Sequence, residues 1–145
     1  DLTGVVIDFS ENPDHLDFHD RAQFNAFQAL PPDQLVWVSE PVTWVSEFRY
    51  YVVDGTILGA GRYDDGADEA PCPAPFDVLA MVREYVASGE APAAFCLDVG
   101  VLDTGETALV EVNDAWAVGY YSGTLTREDY VKMMVRRWQE LLARR

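Results

Sequence analysis

Residues 93–113 read AAFCLDVGVLDTGETALVEVN, and this stretch decides the fold of the chain. Two runs rich in apolar residues stand on either side of the short turn sequence DTGE. Such a pair of runs around a glycine-containing turn predicts a β-hairpin. If the two ends of the turn pair with each other, the ladder brings Asp98 opposite Glu111.

Three polar residues of this hairpin are then expected to share one face. Asp98 and Glu111 would have Cβ atoms about 4.5–5.5 Å apart, a position in which like charges are destabilising without a positive group nearby. Asn113 lies two residues beyond Glu111 and therefore points to the same side. Carboxylate and amide oxygens suit Mg²⁺ that is bound together with phosphates. The alternatives are a wet face with solvated carboxylates, or a one-residue slip that separates the pair.

A second hairpin is predicted around the Asp-Gly turn at 54–55, a strong signal for a tight turn. Its register is expected to place Glu47 opposite Arg62, with Arg49 on the same face. Arginine forks of this kind bind phosphates or carboxylates. The alternative is a surface ion-pair network, which contributes little to stability.

The remaining elements follow from apolar periodicity and from residues that break secondary structure. We predict helices over 20–30, 76–88 and 126–144, strands over 4–8 and near 35–40, and hairpin strands over 44–53 and 56–62. The buried face of the middle helix is expected to comprise Phe76, Leu79, Val82 and Val86. Together these elements predict an α+β fold, an antiparallel sheet of two hairpins with flanking helices, in a single domain spanning 1–145.

The composition excludes several classes of function. The net charge is −15, from 25 acidic and 10 basic residues, and such a chain repels nucleic-acid backbones and anionic membranes. Its two cysteines, Cys72 and Cys96, form neither a disulfide framework nor a zinc site. We therefore expect a cytoplasmic protein with no nucleic-acid or membrane partner, in which Cys96 is a buried thiol.

The predicted hairpin 93–113, for which we expect metal binding, resembles the magnesium site of the ATP-grasp superfamily. In that superfamily an acidic residue on one strand and a Glu-x-Asn triplet on the next hold the Mg²⁺ ions that bridge the ATP phosphates. Asp98 and the triplet 111–113 match this pattern. Residues 47–55, EFRYYVVDG, look most like a clade of small stand-alone ATP-grasp proteins named for two arginines and a lysine.

The resemblance implies an ATP- and Mg²⁺-dependent ligase that joins a carboxylate substrate to an amine, or to a thiol, through an acylphosphate. In that case Asp98, Glu111 and Asn113 would be the metal ligands. The two arginines of the clade would be Arg49 and Arg62, acting on the transferring phosphoryl group or on the acceptor carboxylate. The strand near 35–40 resembles the hinge that binds adenine. The implied nucleotide contacts are Ser39, Glu40, Val42 and Glu47.

Two departures from the family pattern limit what is expected. The superfamily uses lysines to hold the ATP phosphates, whereas Lys132, the single lysine of this sequence, lies in the C-terminal helix. We therefore expect the chain to be the C-terminal part of an ATP-grasp-like fold, without the N-terminal lobe. Cys96 stands where many members have an arginine, whose charge Arg49 or Arg62 would supply. The alternative functions are an acidic protein-binding module and an inactive fragment with a degenerate nucleotide site.

Overall fold

A computed structural model of the chain describes residues 16–36, 38–64 and 69–144. The helices and strands of these residues are α1 (Phe18–Gln28), β1 (Trp44–Val53), β2 (Thr56–Arg62), α2 (Pro75–Ala87), β3 (Ala94–Leu102), β4 (Thr107–Asp114) and α3 (Arg127–Ala143). A short 3₁₀ helix, Ala115–Ala117, follows β4. The predicted α+β class is confirmed. The chain divides into two compact units, residues 1–41 and 42–145.

The second unit is built on one antiparallel sheet with the strand order β2-β1-β3-β4. Both predicted hairpins are formed, and the two meet where β1 pairs with β3. Strand β3 is buried over almost its whole length because helices cover both faces of the sheet. One core, on the α2 side, contains Val52, Val78, Val82, Phe95, Leu97 and Val99. The other, on the α3 side, contains Tyr51, Ala94, Cys96, Ala115, Leu125 and Met133.

The predicted buried face of α2 is wrong for three of its four residues. Val82 is buried, whereas Phe76, Leu79 and Val86 are exposed. The second fully buried residue of this helix is Val78. Apolar residues occur around most of α2, so periodicity alone does not decide which of two overlapping apolar faces is buried. Packing against β3 selects one of them.

The strand predicted near 35–40 is also wrong, because the described residues there have no strand pairing. Leu35 and Val38 are 91% and 88% exposed. A strand needs a neighbour that supplies hydrogen-bond partners, and the described part of the first unit provides none. The strand predicted at 4–8 lies outside the described residues.

The helix predictions are confirmed within two residues at each end. At the start of α3 the Thr126 hydroxyl accepts a hydrogen bond from the Asp129 N–H at 3.0 Å and donates one to its carboxylate at 2.7 Å. At the end of α2, Gly89 adopts a φ of 77°, the left-handed conformation that commonly follows a helix. In the part of the chain that the structure describes, none of the helices is long and apolar enough to cross a membrane.

The segment 118–125 packs across β2 at the sheet edge. Gly61 and Gly123 form an antiparallel bridge, and the Thr124 N–H donates to the Ala60 carbonyl at 2.8 Å. A Cβ atom at Gly123 would lie 2.2 Å from that carbonyl oxygen. The two backbones therefore approach this closely only because position 123 has no side chain.

The Tyr51 hydroxyl makes two hydrogen bonds to the backbone of the same segment. It donates to the Gly119 carbonyl at 3.0 Å and accepts from the Tyr121 N–H at 2.9 Å. Burial raises the pKa of Tyr51 to about 12, so the hydroxyl stays protonated and keeps both bonds at neutral pH. These contacts determine where the Tyr121 ring lies.

We expect Gly123→Ala to lower the free energy of unfolding by about 1–3 kcal/mol, the usual cost of overpacking a close contact. The measurement is urea-induced unfolding followed by circular dichroism. Gly119→Ala is the matched control, because the nearest atom to its added Cβ would be a Tyr121 ring carbon at 3.3 Å, and a ring can shift. Equal stability of the two variants would contradict the close approach of the backbones.

Candidate functional site

The opposition of the two predicted carboxylates is confirmed, since Asp98 pairs with Glu111 in the β3–β4 ladder. Nearer the turn the register differs from the prediction by one residue, and Val99 pairs with Leu109. A bulge at Val110 inserts the extra residue and restores the expected pairing beyond it. Bulges of this kind are common beside functional sites because they redirect side chains.

The positive group that the two carboxylates require is the guanidinium of Arg49. Arg49 lies opposite Asp98 in the β1–β3 ladder, and its Nε and Nη2 donate to the two carboxylate oxygens at 2.7 and 2.6 Å. Asp98 is fully buried and Arg49 is 9% exposed. A buried charge pair with two charge-assisted hydrogen bonds therefore lies in the middle of the sheet.

Asn113 joins the two carboxylates. Its Nδ2 donates to Asp98 Oδ2 at 3.0 Å and to Glu111 Oε1 at 2.8 Å. The Glu111 side chain is 55% exposed, and its Oε1 lies 3.9 Å from Arg49 Nη2. The three predicted metal ligands thus form one cluster, with Asp98 on its buried side and Glu111 on its open side.

Two tyrosines that the sequence analysis missed pack side by side against Arg49. The guanidinium carbon lies 5.2 Å from the ring centroid of Tyr63 and 5.4 Å from that of Tyr121, within the range of a cation–π interaction. The Tyr63 hydroxyl donates to the Glu47 carboxylate at 2.6 Å. Tyr63 directly follows β2, so its position could have been inferred from the hairpin. Tyr121 comes from a distant segment and left no local signal.

The predicted pairing of Glu47 with Arg62 is wrong. A bulge near Leu58 shifts the β1–β2 register, so that Phe48 pairs with Arg62. The Nε and Nη2 atoms of Arg62 donate to the Asp64 carboxylate at 2.9 and 2.7 Å. The register places Arg62 on the other face of the sheet from Arg49, so the structure does not place the two predicted arginines in one cluster.

The predicted nucleotide contacts are divided between the two units. Ser39 and Glu40 belong to the first unit and are exposed, outside regular secondary structure. Val42 is half-exposed at the start of the second unit. Glu47 lies on β1, where its N–H donates to Asp64 Oδ2 at 2.7 Å. Their contacts with adenine and ribose stay a prediction.

The electrostatics of the cluster follow from burial. Desolvation raises the pKa of the Asp98 carboxyl above its ordinary value, and the hydrogen bonds from Arg49 offset part of that rise. The same contact raises the pKa of Arg49. Desolvation also raises the pKa of the Cys96 thiol to about 12. Cys96 is therefore protonated at neutral pH and unsuited to act as a nucleophile.

The donor set fits a magnesium ion. Glu111 offers a half-exposed carboxylate, and turning over the Asn113 amide presents its oxygen in place of its nitrogen. Asp98 adds a second carboxylate, whose oxygens bind Arg49. Among the described residues, no group of three His, Cys, Asp or Glu side chains could hold a metal ion. The amide of Asn113 is therefore needed to complete a three-residue ligand set.

A second ionic cluster, also absent from the sequence analysis, fixes α3 on the sheet. The Nε of Arg137 donates to Asp114 Oδ1 at 2.7 Å, and its Nη1 donates to Glu140 Oε2 at 2.9 Å. That Glu140 oxygen also accepts from the Ala93 N–H at 2.8 Å. The bonds from Arg137 are the largest cause of a lowered pKa at Asp114. The cluster holds the inward face of α3 against the ends of β3 and β4.

The comparison with protein families identifies the chain. The family model that matches residues 3–141 describes an ATP-grasp domain, family 3 of the clade named for two arginines and a lysine. The chain therefore belongs to this clade of ATP-grasp domains, and the resemblance inferred from the sequence is confirmed. A search of curated proteins found no match.

Two solved structures are similar to the chain at low sequence identity. The macrocyclase MdnB from Microcystis aeruginosa MRC matches with 20% identity and a TM-score of 0.43, over 93% of this chain and 49% of its own. The ATP-grasp ligase PsnB, solved with a minimal precursor, matches with 16% identity and a TM-score of 0.39, over 72% of this chain and 35% of its own. The chain thus spans about half the length of MdnB and about a third of PsnB.

We expect Arg49→Met to lower the free energy of unfolding near neutral pH by about 3–5 kcal/mol, because it leaves the buried Asp98 charge unpaired. In the variant, folded Asp98 lacks its cationic partner, so its pKa rises further above the value it has in the unfolded chain. The loss of stability relative to the unmodified chain therefore increases as the pH rises and the carboxyl ionises. It should shrink toward about pH 4, where the carboxyl is protonated. Urea unfolding at both pH values measures the effect.

Arg136→Met is the matched control for this prediction. Arg136 also makes two hydrogen bonds to one carboxylate, that of Asp54, at 3.0 and 2.7 Å. This second pair is exposed, so its loss should change stability little at either pH. Equal effects of the two substitutions would contradict the buried role of Arg49.

The two thiols should differ sharply in reactivity. Cys72 is exposed and Cys96 is buried. At neutral pH we expect a disulfide reagent such as DTNB to label Cys72 rapidly, and Cys96 only after denaturation. Cys72→Ser should abolish the fast phase. A fast phase that persists in this variant would show that Cys96 is accessible.

Proposed function

We propose that this chain binds ATP together with Mg²⁺ and supplies the phosphate-binding half of an ATP-grasp ligase. The observation that carries the proposal is the pair of opposed carboxylates, Asp98 and Glu111, with Asn113 beside them, in a chain of this ATP-grasp clade. The net charge of −15 and the two free cysteines accord with an enzyme of the reducing cytoplasm.

The carboxylate cluster would hold the metal. Glu111 and Asn113 lie on its open side and would bind Mg²⁺ first, with Asp98 behind them. When bound, Mg²⁺ offsets the negative charge of the β- and γ-phosphates of ATP. Asp98 would hold the metal through a carboxylate that also accepts hydrogen bonds from Arg49.

Arg49 would then turn its free donors toward the phosphates. Its planar fork suits a phosphoryl group as well as it suits a carboxylate. The adjacent rings of Tyr63 and Tyr121 both pack against the guanidinium and restrict its movement, so little ordering is needed at the moment of reaction. We assign the phosphate-contacting role to Arg49 alone, since Arg62 is bound to Asp64 on the other face.

The reaction that this arrangement supports is the ligation of a carboxylate to an amine. A substrate carboxylate oxygen attacks the γ-phosphorus and the bond to ADP breaks, giving an acylphosphate. The amine nitrogen then attacks the acyl carbon, phosphate leaves, and the nitrogen loses a proton to water. The protein contributes mainly position and charge neutralisation. We propose this activity for the whole protein that contains this region, with Ser39, Glu40, Val42 and Glu47 toward the base and ribose.

Calorimetric titration with a non-hydrolysable ATP analogue tests the proposal. We expect binding that requires Mg²⁺ and that Glu111→Gln weakens at least about tenfold, because one anionic ligand is lost. The free energy of unfolding of the metal-free variant should stay the same or rise slightly, since a like charge opposite Asp98 is removed.

Glu106→Gln is the control, because it makes the same change of charge in the exposed turn of the same hairpin. It should bind the analogue like the unmodified chain. No binding by a folded chain, or equal losses in both variants, would contradict a specific site. Equal losses would favour an acidic binding module that responds to total charge.

A further inference from the structure

A half-buried glutamate and a half-buried tyrosine form a pair beside Arg49. Glu47 precedes Arg49 by two residues on β1, so the two side chains lie on the same face of the sheet. Tyr63 binds Glu47 twice, because its N–H donates to the Glu47 carbonyl at 3.2 Å and its hydroxyl donates to the carboxylate at 2.6 Å. The Glu47 N–H donates to the Asp64 carboxylate at 2.7 Å. Backbone and side chain together therefore hold Glu47 against the segment that follows β2.

The hydrogen bond from the Tyr63 hydroxyl to Glu47 is charge-assisted. Its length of 2.6 Å lies in the range of an O–H donor to an ionised carboxylate, about 2.5–2.7 Å. Desolvation and this bond are the two largest causes of a raised pKa of Tyr63, and the negative charges of Asp98 and Glu111 raise it further. The hydroxyl therefore stays protonated at neutral pH and continues to donate to Glu47.

The ring of Tyr63 carries the effect of this bond to Arg49, whose guanidinium carbon lies 5.2 Å from the ring centroid. A phenol that donates a hydrogen bond to an anion gains electron density in its ring, because bonded groups polarise one another. A ring with more negative faces attracts a cation more strongly. Among the described residues, the salt bridges of Arg49 go to Asp98 and Glu111 and not to Glu47. Glu47 therefore acts on Arg49 through Tyr63.

The second ring against Arg49 is fixed in a different way. Tyr121 is held by its main chain, since its N–H donates to the Tyr51 hydroxyl at 2.9 Å. Its ring centroid lies 5.5 Å from that of Tyr63. Removal of the Glu47 carboxylate would therefore release the Tyr63 ring alone and leave the hydrogen bond that holds Tyr121 in place.

We propose that Glu47 and Tyr63 are positioning residues for Arg49. Glu47 fixes the Tyr63 ring through its hydroxyl, and the ring holds the guanidinium toward the phosphates of a bound nucleotide. The inference rests on the proposed function, in which Arg49 contacts those phosphates. It gives Glu47 a role in phosphate binding that is separate from its predicted contact with the ribose.

The inference also fixes the direction of the effect of losing Glu47. Removal of a carboxylate near an anion site strengthens anion binding when only the charge matters, because a like charge is lost. Loss of the position of Arg49 weakens anion binding instead. The two explanations therefore predict changes of opposite sign.

Calorimetric titration of the full chain with inorganic tripolyphosphate and Mg²⁺ tests the proposal, because this probe has neither base nor ribose. We expect Glu47→Ala and Tyr63→Phe each to weaken its binding at least about threefold, the scale of a cation–π contact at a partly exposed site. The double variant should bind no more weakly than the weaker single variant, since both changes break the same connection. Glu84→Ala is the control, because it removes an exposed glutamate of α2.

Unchanged or tighter binding of tripolyphosphate by Glu47→Ala, with weaker binding of the ATP analogue, would overturn the inference, because Glu47 would then act on the nucleoside alone. Glu47→Gln keeps an acceptor for the Tyr63 hydroxyl and should retain more of the binding than Glu47→Ala. An unmodified chain that binds neither probe would contradict the proposed function instead. Circular dichroism verifies that the variants are folded.

The NMR signal of the Arg49 Nε–H tests the same connection without a ligand. This proton is hydrogen-bonded, and we expect its exchange with water to become at least about threefold faster in Glu47→Ala and in Tyr63→Phe, as local opening becomes easier. The Nε–H of Arg136, which belongs to an exposed ion pair, is the internal control and should not change. Equal exchange of the Arg49 proton in all three chains would overturn the inference, whatever the titrations show.

Discussion

The buried ion pair between Arg49 and Asp98 is the interaction around which the second unit is organised. A carboxylate in the middle strand of a sheet covered on both faces is strongly destabilising without a partner. Arg49, from the neighbouring strand, makes two hydrogen bonds to it. The ladder on one side of Asp98 must therefore bring Arg49 opposite it, while the ladder on the other side brings Glu111 there. The registers of the β1–β3 and β3–β4 ladders are therefore both set at Asp98.

The same pair divides the site into a side that is buried and a side that is exposed to solvent. Asp98 is inaccessible to water, while the Glu111 side chain is more than half exposed, and Asn113 bonds to both. A buried ion pair contributes little net stability compared with apolar packing, although breaking it is costly. In the function proposed above, the guanidinium would neutralise the carboxylate until a cation binds.

The two faces of α3 differ in composition. Inward, Arg137 and its two carboxylates tie the helix to the sheet, and Met133 fills the core beneath it. Outward, apolar side chains such as Val135 and Trp138 are exposed. The loop before α3 is held by the Tyr51 hydroxyl and by the close approach of Gly123 to β2. One segment of chain thus places Tyr121 against Arg49 and leads directly into α3.

Local chemistry by itself determined both hairpins, the Thr126 cap and the opposition of Asp98 to Glu111, because tight turns and caps depend on neighbouring residues. The observed pairing of Asp98 with Glu111 also requires a bulge at Val110, which the turn sequence does not predict. Only the tertiary structure decided which face of α2 is buried, which residue faces Arg62, and that Tyr63 and Tyr121 pack against Arg49. Each of these depends on contacts between distant segments or on a bulge that shifts a ladder by one residue. The sequence supplied the candidate site residues, and long-range packing determined which of them meet.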